Sequence, residues 1–264
     1  MRRDNWVRSL GLDADGTLFV EIDNGIRLYD LCLNHRLPAA VNVPPQDLMK
    51  VENRQLYYSF LATLKEIESI QFHHMYAGNH QFKRGDVVVD AGARIGTFAA
   101  QISAAVGAEG KVIAIESELR NFACFQKNIE ANRLNNVIAI QKMLWSGRRL
   151  MDLILSSNSA SHSVYRHAFY GSTSESIEVE AETLDNILGN LGISPVDFIK
   201  MDIEGSEIEA LKGMPKTLQS RVQLAIAAYH PVDGKSTHEI IMPQLEQLGF
   251  NVTLADCIVQ ARRP

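Results

Sequence analysis

Several hydrophobic runs of this chain end in polar residues of the types that bind ligands or catalyse reactions. The first such segment is the most informative about function. Residues 87–96 read VVVDAGARIG, so Asp90 ends a run of three valines, and Gly92 and Gly96 follow it. The apolar stretch TFAAQISAAV comes next and predicts a helix. A glycine turn between a buried strand and a helix lets the backbone approach a ligand beyond the strand ends. The spacing therefore predicts a ligand-binding turn.

This turn departs from the dinucleotide-binding pattern. Gly-x-Gly-x-x-Gly requires a glycine two positions after the first, and Arg94 stands there. The turn of this chain therefore need not form a phosphate cradle, which favours a ligand without a pyrophosphate.

A second acid, Glu116, ends the apolar run KVIAIE. An acid at the end of a neighbouring strand can accept hydrogen bonds from both hydroxyls of a ribose. Capping of the following helix is the alternative, but Ser117 is better suited to that role. We therefore expect Glu116 to bind a ribose. Many cofactors contain adenosine, so this residue alone does not identify which of them binds.

Two acids and a histidine follow two further predicted strands. The segment DFIKMDIEGSEIEALKG ends its apolar run at Asp202 and Glu204, and QLAIAAYHP ends at Tyr229 and His230. Because the carboxyl ends of parallel strands meet at one edge of a sheet, Asp202, Glu204 and His230 are expected to converge. Three roles stay open for His230: a general base of near-neutral pKa, a ligand of a divalent cation such as Mg²⁺ together with both acids, or a structural histidine.

The order of the strands and helices that must position these residues predicts a doubly wound α/β fold. Strands and helices alternate from Gly85 onward, which predicts a mostly parallel sheet with helices on both faces. Two final strands without a helix between them predict one antiparallel strand at the edge. The predicted strands are 86–90, 111–116, 137–141, 151–156, 176–180, 196–202, 222–229, 249–254 and 256–261. The predicted helices are 96–106, 118–132, 183–191, 206–220 and 236–248.

A smaller unit precedes this sheet. We expect residues 1–84 to form an N-terminal extension and residues 85–264 to form the main domain. Turn sequences, Asp-Ala-Asp-Gly and Asn-Gly, divide residues 6–30 into three short segments and predict a β-meander. A helical pattern covers residues 46–72.

Three segments together, VVVDAGARIGTF, DFIKMDIEGSEIEALKG and LAIAAYHP, resemble the FkbM family of S-adenosylmethionine-dependent methyltransferases. The resemblance implies a seven-stranded, Rossmann-like class I methyltransferase sheet. It also implies methyl transfer from S-adenosylmethionine to a hydroxyl of a sugar or small molecule. The chain departs from the family where Arg94 replaces a usual asparagine and Ser117 a common proline. Arg94 is expected either to alter the cofactor entrance or to reach an anionic substrate.

The resemblance also suggests which residues form the site. Asp202 would lie between cofactor and acceptor and would act with Glu204 and His230. Met143 and Leu144 follow the third strand, where apolar residues commonly enclose adenine, and core packing is the alternative. The predicted cofactor site comprises Asp90, Gly92, Ala93, Gly96, Glu116, Ser117, Met143, Leu144 and Asp202. A polar loop is expected either to overhang the acceptor or to be solvated, and contains Asn158, Ser159, Ser161 and His162.

Two other functions are alternatives to methyl transfer. An NAD-dependent oxidoreductase explains the sheet and Glu116 but not the missing middle glycine. A catalytically silent cofactor-binding module would have no need of Asp202, Glu204 and His230. Comparing the affinities for NADH and S-adenosylhomocysteine would separate the first of these from a methyltransferase.

Composition limits the partners of the chain. A formal charge of −5 weighs against nucleic acid as the main partner. The cysteines Cys32, Cys124 and Cys257 are widely separated, which favours reduced thiols in a cytoplasmic protein. No apolar run approaches the length of about 18 residues that a membrane span needs. The oligomeric state and the acceptor's identity are not readable from the sequence.

Overall fold

The structure of the protein, a computed structural model, describes residues 6–13, 17–30, 42–43, 64–70, 75–78, 80–156, 160–165 and 172–264. Most of the helical pattern predicted for 46–72 lies outside these residues, and only 64–70 (α1) is described, as helix. Cys32, His73, His74, Asn158 and Ser159 also lie outside the described residues.

The N-terminal unit is a four-stranded antiparallel sheet. Its strands are β1 (Val7–Leu12), β2 (Leu18–Ile22), β3 (Arg27–Asp30) and β4 (Asn42–Val43), in the order β3-β2-β1-β4. The first three form the predicted meander. The division of the chain near residue 84 stays a prediction.

The remaining strands are β5 (Val87–Ala91), β6 (Lys111–Glu116), β7 (Val137–Gln141), β8 (Met143–Leu144), β9 (Arg149–Ser156), β10 (Ser172–Glu182), β11 (Phe198–Met201), β12 (Gln223–Ala227), β13 (Pro231–Val232), β14 (Lys235–Ser236), β15 (Asn251–Ala255) and β16 (Ile258–Arg262). The helices after α1 are α2 (Thr97–Val106), α3 (Leu119–Asn132), α4 (Leu184–Leu191), α5 (Glu207–Lys212), α6 (Pro215–Leu218) and α7 (Thr237–Gln247).

Seven of these strands form the central sheet, in the order β15-β16-β12-β11-β5-β6-β7. Apolar side chains cover both faces of the sheet, so its central strands read as continuous apolar runs. Only β16 runs antiparallel to its neighbours, β12 and β15. The fold is the predicted doubly wound, Rossmann-like α/β sheet. The antiparallel strand, however, lies one place inside the edge, because β15 pairs along its outer side.

One predicted helix is divided in two. The pattern over 206–220 predicts a continuous helix, but α5 ends at Lys212 and α6 begins at Pro215. A Cβ atom on Gly213 would lie 2.2 Å from the carbonyl oxygen of Trp145, so the chain passes too close to that backbone for a side chain. Proline at the start of α6 cannot continue the preceding helix. These two residues explain the break.

Two asparagines fix the N-terminal sheet to the main sheet's helix α3. Asn128 and Asn132 lie one helical turn apart and thus on one face. The Asn132 side chain accepts from the Arg27 N–H (2.7 Å) and donates to the Arg27 carbonyl (2.6 Å). Asn128 does the same for Tyr29, at 2.6 and 3.0 Å. The two amides thus replace a neighbouring strand along the edge of β3.

Two further predictions concern thiols and membranes. Cys124 is buried and its thiol donates to the carbonyl of Tyr29 at 2.9 Å, whereas Cys257 is exposed, and neither forms a disulfide within the part of the chain that the structure describes. No helix in the described ranges is long and apolar enough to cross a membrane. A cytoplasmic location stays a prediction.

Candidate active site

A cavity of about 580 Å³ opens at the carboxyl ends of β5, β6 and β11. Six residues of the predicted site line it, namely Gly92, Glu116, Ser117, Met143, Leu144 and Asp202, and so does the predicted catalytic residue Glu204. Asp90, Ala93, Gly96 and His230 are not among its lining residues.

The two glycines of the turn make room for protein atoms. Gly92 (φ 77°) and Gly96 (φ 83°) both adopt the left-handed backbone conformation that favours glycine. A Cβ on Gly92 would lie 1.8 Å from the carbonyl oxygen of Asp202, and one on Gly96 would lie 2.1 Å from the ring of Phe125. The expectation that both glycines clear a path for the ligand is therefore wrong for Gly96, whose missing side chain faces α3.

Asp90 lies beneath the turn instead of facing the cavity. Its side chain is fully buried, and Oδ1 lies 2.9 Å from Nζ of Lys200 on the neighbouring strand β11. The Lys200 ammonium also donates to the carbonyl of Gly92 at 2.6 Å. Burial lowers the pKa of Lys200, but Asp90 and Asp202 offset this effect and the net shift is upward. The direct cofactor contact expected of Asp90 is corrected to a supporting role, because no cofactor atom can reach a side chain without exposed surface.

Glu116 is buried at the cavity wall, where backbone donors orient its carboxylate. Oε2 accepts from the N–H of Arg94 (2.8 Å), and Oε1 accepts from the N–H of Glu118 (2.9 Å). Burial raises the pKa of Glu116 despite these hydrogen bonds. Each carboxylate oxygen keeps a second lone pair, so the group can still accept from a diol.

The Arg94 side chain turns toward the N-terminal unit. Its guanidinium pairs with Asp30 (3.1 Å) and with Glu66 (2.7 Å), and only 11% of the side chain is exposed. The backbone of Arg94 is left-handed (φ 51°), which is uncommon for a residue with a side chain. Arg94 thus ties the glycine turn to β3 and α1. A role in binding an anionic substrate does not fit a guanidinium that two carboxylates already hold.

Apolar and polar residues close the cofactor side of the cavity. Met143 and Leu144 form β8, are buried, and line the cavity, and their contact with adenine stays a prediction. Asn121 also lines the cavity and was not predicted. Its position in the first turn of a helix, inside a mostly polar sequence, gives no signal that distinguishes it from a surface residue.

Part of the polar loop lines the cavity, and its position over an acceptor stays a prediction. His162 lines the cavity, and its Nδ1 lies 2.9 Å from the backbone N–H of Ser156, which donates to it. Burial lowers the pKa of His162, so the imidazole is neutral at pH 7. With Nδ1 accepting, the proton is on Nε2, and His162 is a hydrogen-bond donor at the wall.

Asp202, Glu204 and His230 meet where the strands β11 and β12 end. Nε2 of His230 lies 3.6 Å from Oδ1 of Asp202 and 3.6 Å from Oε2 of Glu204. Glu204 has a left-handed backbone (φ 54°) and precedes Gly205, which forms the tight turn that brings both acids to the histidine. Strained backbone of this kind is concentrated at functional sites. The predicted convergence of the three residues is present in the structure.

Two residues that the sequence did not assign to the site hold this cluster in position. The hydroxyl of Tyr76 donates to Oδ2 of Asp202 at 2.7 Å. On the other side, Oε1 of Glu207 lies 2.9 Å from Nδ1 of His230 and accepts from the N–H groups of Ile203 and Gly205. Glu207 resembles an ordinary acid of a helix first turn, so its sequence position alone does not reveal the contact.

The expectation of a near-neutral His230 is wrong. Burial by itself lowers the pKa of this imidazole, but the carboxylates of Glu204, Glu207 and Asp202 outweigh burial and raise the pKa to about 11. The pKa of Glu204 is also raised, mainly by burial. An imidazole that is already protonated at pH 7 cannot take a further proton. His230 therefore serves as the partner of the acids, and the acids are the groups able to accept a proton.

Comparison with known protein families matches residues 90–252 to the Methyltransferase FkbM domain. The chain belongs to the FkbM methyltransferase family. The match begins at the acid under the glycine turn and includes the whole Asp202–Glu204–His230 cluster. This family membership agrees with the resemblance seen in the sequence.

Comparison with solved structures found proteins similar to this FkbM family member. One is the methyltransferase FkbM from Methylobacillus flagellatus KT, with 20% identity and a TM-score of 0.50, over 74% of this chain and 47% of that one. Another is a precorrin-6y C5,15-methyltransferase from Geobacter metallireducens GS-15, with 14% identity and a TM-score of 0.47, over 72% and 87% of the two chains. The chain therefore spans about half the length of the Methylobacillus protein. Comparison with curated proteins found no match.

Proposed function

We propose that this methyltransferase moves the methyl group of S-adenosylmethionine to a hydroxyl of a small molecule or sugar. The observation that carries the proposal is a single cavity with two chemically different ends. Glu116, at the end of β6, lines the cavity on one side of β5. Asp202 and Glu204, after β11, line it on the other side of β5, and Met143 and Leu144 of β8 also line it. A nucleoside suits the first end, and a group that must lose a proton suits the second.

The cofactor end matches the parts of an adenosine. The oriented carboxylate of Glu116 can accept from both ribose hydroxyls, and Met143 with Leu144 offers apolar contact to a base. Ser117 and Gly92 line the same wall. The methionine portion would then extend past Gly92 toward Asp202.

The acceptor end matches hydroxyl chemistry. In the transfer, the hydroxyl oxygen forms a bond to the methyl carbon as the carbon–sulfur bond breaks, S-adenosylhomocysteine leaves, and the hydroxyl gives up its proton. Asp202 and Glu204 are the groups at this wall that can accept that proton, and the raised pKa of Glu204 suits it to the task. Holding the two reactants in line supplies most of the remaining acceleration.

Two experiments test the proposal, first the binding of cofactor ligands and then turnover with candidate acceptors. We expect S-adenosylhomocysteine to bind in isothermal titration calorimetry and NADH not to bind. A panel of sugars, phenols and amines, assayed with methyl-labelled S-adenosylmethionine, should give product with hydroxyl acceptors. Glu204→Gln should lower kcat while its affinity for S-adenosylhomocysteine stays within about twofold. Preference for NADH, or methylation of amines alone, would contradict the proposal.

A further inference from the structure

We propose that Asp202, Glu204 and His230 bind one divalent transition-metal ion, with Glu207 and Tyr76 orienting the ligands. The location of the ion follows from the geometry of these five residues. Its role, polarising the acceptor hydroxyl beside the methyl donor, rests on the proposed function.

The first argument is the spacing of the ligand atoms. One atom from each of Asp202, Glu204 and His230 lies within 4.8 Å of the other two. Both oxygens are 3.6 Å from Nε2, which is longer than a hydrogen bond. Nitrogen and oxygen ligands about 2.1 Å from one ion lie about 3.4–3.6 Å apart when the angle at the ion is about 110–120°. The measured separations therefore fit ligands that share an ion better than groups that share a proton.

The second argument is the state of the histidine. His230 is completely buried, yet its Nε2 has no hydrogen-bond partner among the described residues. Oδ1 of Asp202 likewise has none in this part of the chain. Nε2 faces the carboxylates of Asp202 and Glu204 at 3.6 Å, a separation that a cation could fill by displacing the proton of the imidazole. A bound cation would satisfy both atoms at once.

The third argument is the set of contacts behind the ligands. Metal-binding histidines usually donate their other ring N–H to a carboxylate, which fixes the tautomer and the ring orientation. Oε1 of Glu207 lies 2.9 Å from Nδ1 of His230, and backbone N–H groups hold Glu207 in turn. Tyr76 donates to the Asp202 oxygen that faces away from the histidine. These contacts use Nδ1 of His230 and Oδ2 of Asp202, so Nε2 and Oδ1 remain as candidate ligand atoms.

Charge and ligand type identify the class of ion. Asp202, Glu204 and Glu207 bring three carboxylates around one imidazole, so the cluster attracts a cation. One imidazole with two carboxylates suits Mn²⁺, Fe²⁺, Co²⁺ or Zn²⁺, whereas Mg²⁺ and Ca²⁺ prefer oxygen ligands alone. We therefore assign the site to a first-row transition metal, and we correct the expectation of Mg²⁺. Asp202 and Glu204 line the cavity, so the ion would reach an acceptor oxygen there.

Metal titration of the whole 264-residue chain tests this assignment without cofactor or acceptor. After chelation and gel filtration, Mn²⁺ binding is measured by electron paramagnetic resonance, with Co²⁺ absorption and Zn²⁺ competition as parallel probes. The wild type should bind one equivalent. Glu204→Gln, a partly exposed position, should weaken Mn²⁺ binding by at least tenfold, and Glu207→Gln by about 10–100-fold. Glu209→Gln is the matched control on the same helix, because its carboxylate pairs with Ser146 and Lys212 outside the cluster.

The outcomes separate this inference from the proposed function. One equivalent of Mn²⁺ in the wild type and in Glu209→Gln, with weaker binding in Glu204→Gln and Glu207→Gln, supports the site. No binding of Mn²⁺, Co²⁺ or Zn²⁺, or equal binding in all four proteins, overturns it. In either case circular dichroism and S-adenosylhomocysteine binding report whether a variant is folded. Metal binding without hydroxyl methylation would instead count against the proposed function alone.

Discussion

The ammonium of Lys200 lies 2.9 Å from the carboxylate of Asp90, and this ion pair joins the strands β11 and β5 directly beneath the glycine turn. The same ammonium donates to the Gly92 carbonyl at 2.6 Å. The acid that ends β5 therefore contributes to the cofactor site from below, by neutralising a buried lysine that holds the turn. A buried pair of this kind makes each partner dependent on the other.

Removing one member of this pair should destabilise the whole domain. Lys200→Met leaves the Asp90 carboxylate buried and unpaired, which should lower the free energy of unfolding by about 3–5 kcal/mol. Urea denaturation followed by circular dichroism measures the change. Lys212→Met removes an exposed lysine paired with Glu209 and should cost no more than about 1 kcal/mol. Equal losses in the two variants would show that the buried pair has no special importance.

Cofactor affinity should depend on the ionisation of Glu116. Burial raises the pKa of this carboxyl, and its protonated form can accept fewer hydrogen bonds from a ribose. Affinity for S-adenosylhomocysteine should therefore be full above the raised pKa. It should fall on acidification at a pH higher than an ordinary glutamate would require. Glu116→Gln should bind about tenfold or more weakly at pH 7 and lose this pH dependence in calorimetry. Wild-type affinity in this variant would show that Glu116 does not bind the cofactor.

Tyr76 should affect turnover more than cofactor binding. Its hydroxyl donates to Asp202, and hydrogen bonds to charged groups contribute about 1.5–3 kcal/mol. Tyr76→Phe should lower kcat by roughly tenfold or more, because Asp202 loses its orientation at the acceptor end. Affinity for S-adenosylhomocysteine should change little, since Tyr76 does not line the cavity. Steady-state kinetics with calorimetry distinguishes this outcome from a general loss of structure, which would reduce both.

The N-terminal unit should influence the cofactor site through Arg94. Asp30→Asn removes one of the two carboxylates that pair with the Arg94 guanidinium. The backbone N–H of Arg94 is one of the two N–H groups that orient Glu116. We expect S-adenosylhomocysteine affinity to fall several-fold and unfolding free energy to drop by about 1–3 kcal/mol. Glu21→Gln provides the control, because Glu21 pairs with a half-exposed Arg27 in the same small sheet. If both variants keep full affinity, the N-terminal unit does not support the site.

The general arrangement of this site could be predicted from sequence because it depends on local patterns. Asp90, Glu116 and Asp202 each end an apolar run, and parallel strands bring such ends to one edge of the sheet. His230 follows the adjacent strand β12, so its meeting with the acids follows from strand order alone. The family resemblance then gave the correct family and fold.

Contacts between distant segments could not be predicted in the same way. Lys200 lies within an apolar run, and nothing near it in sequence indicates that Asp90 is its partner. The pKa of His230 depends on Glu207, whose position at a helix start has an ordinary explanation. Gly96 has the spacing of a ligand-binding glycine, but the ring of Phe125 from α3 occupies the space beside it. Each of these features depends on which side chains the fold brings together.

A crystal structure with S-adenosylhomocysteine tests the central claim most directly. The account predicts the ribose hydroxyls within hydrogen-bond distance of Glu116, adenine against Met143 and Leu144, and the sulfur directed toward Asp202 and Glu204. The same ligand bound at another surface, or with its sulfur turned away from the Asp202–Glu204–His230 cluster, would contradict it.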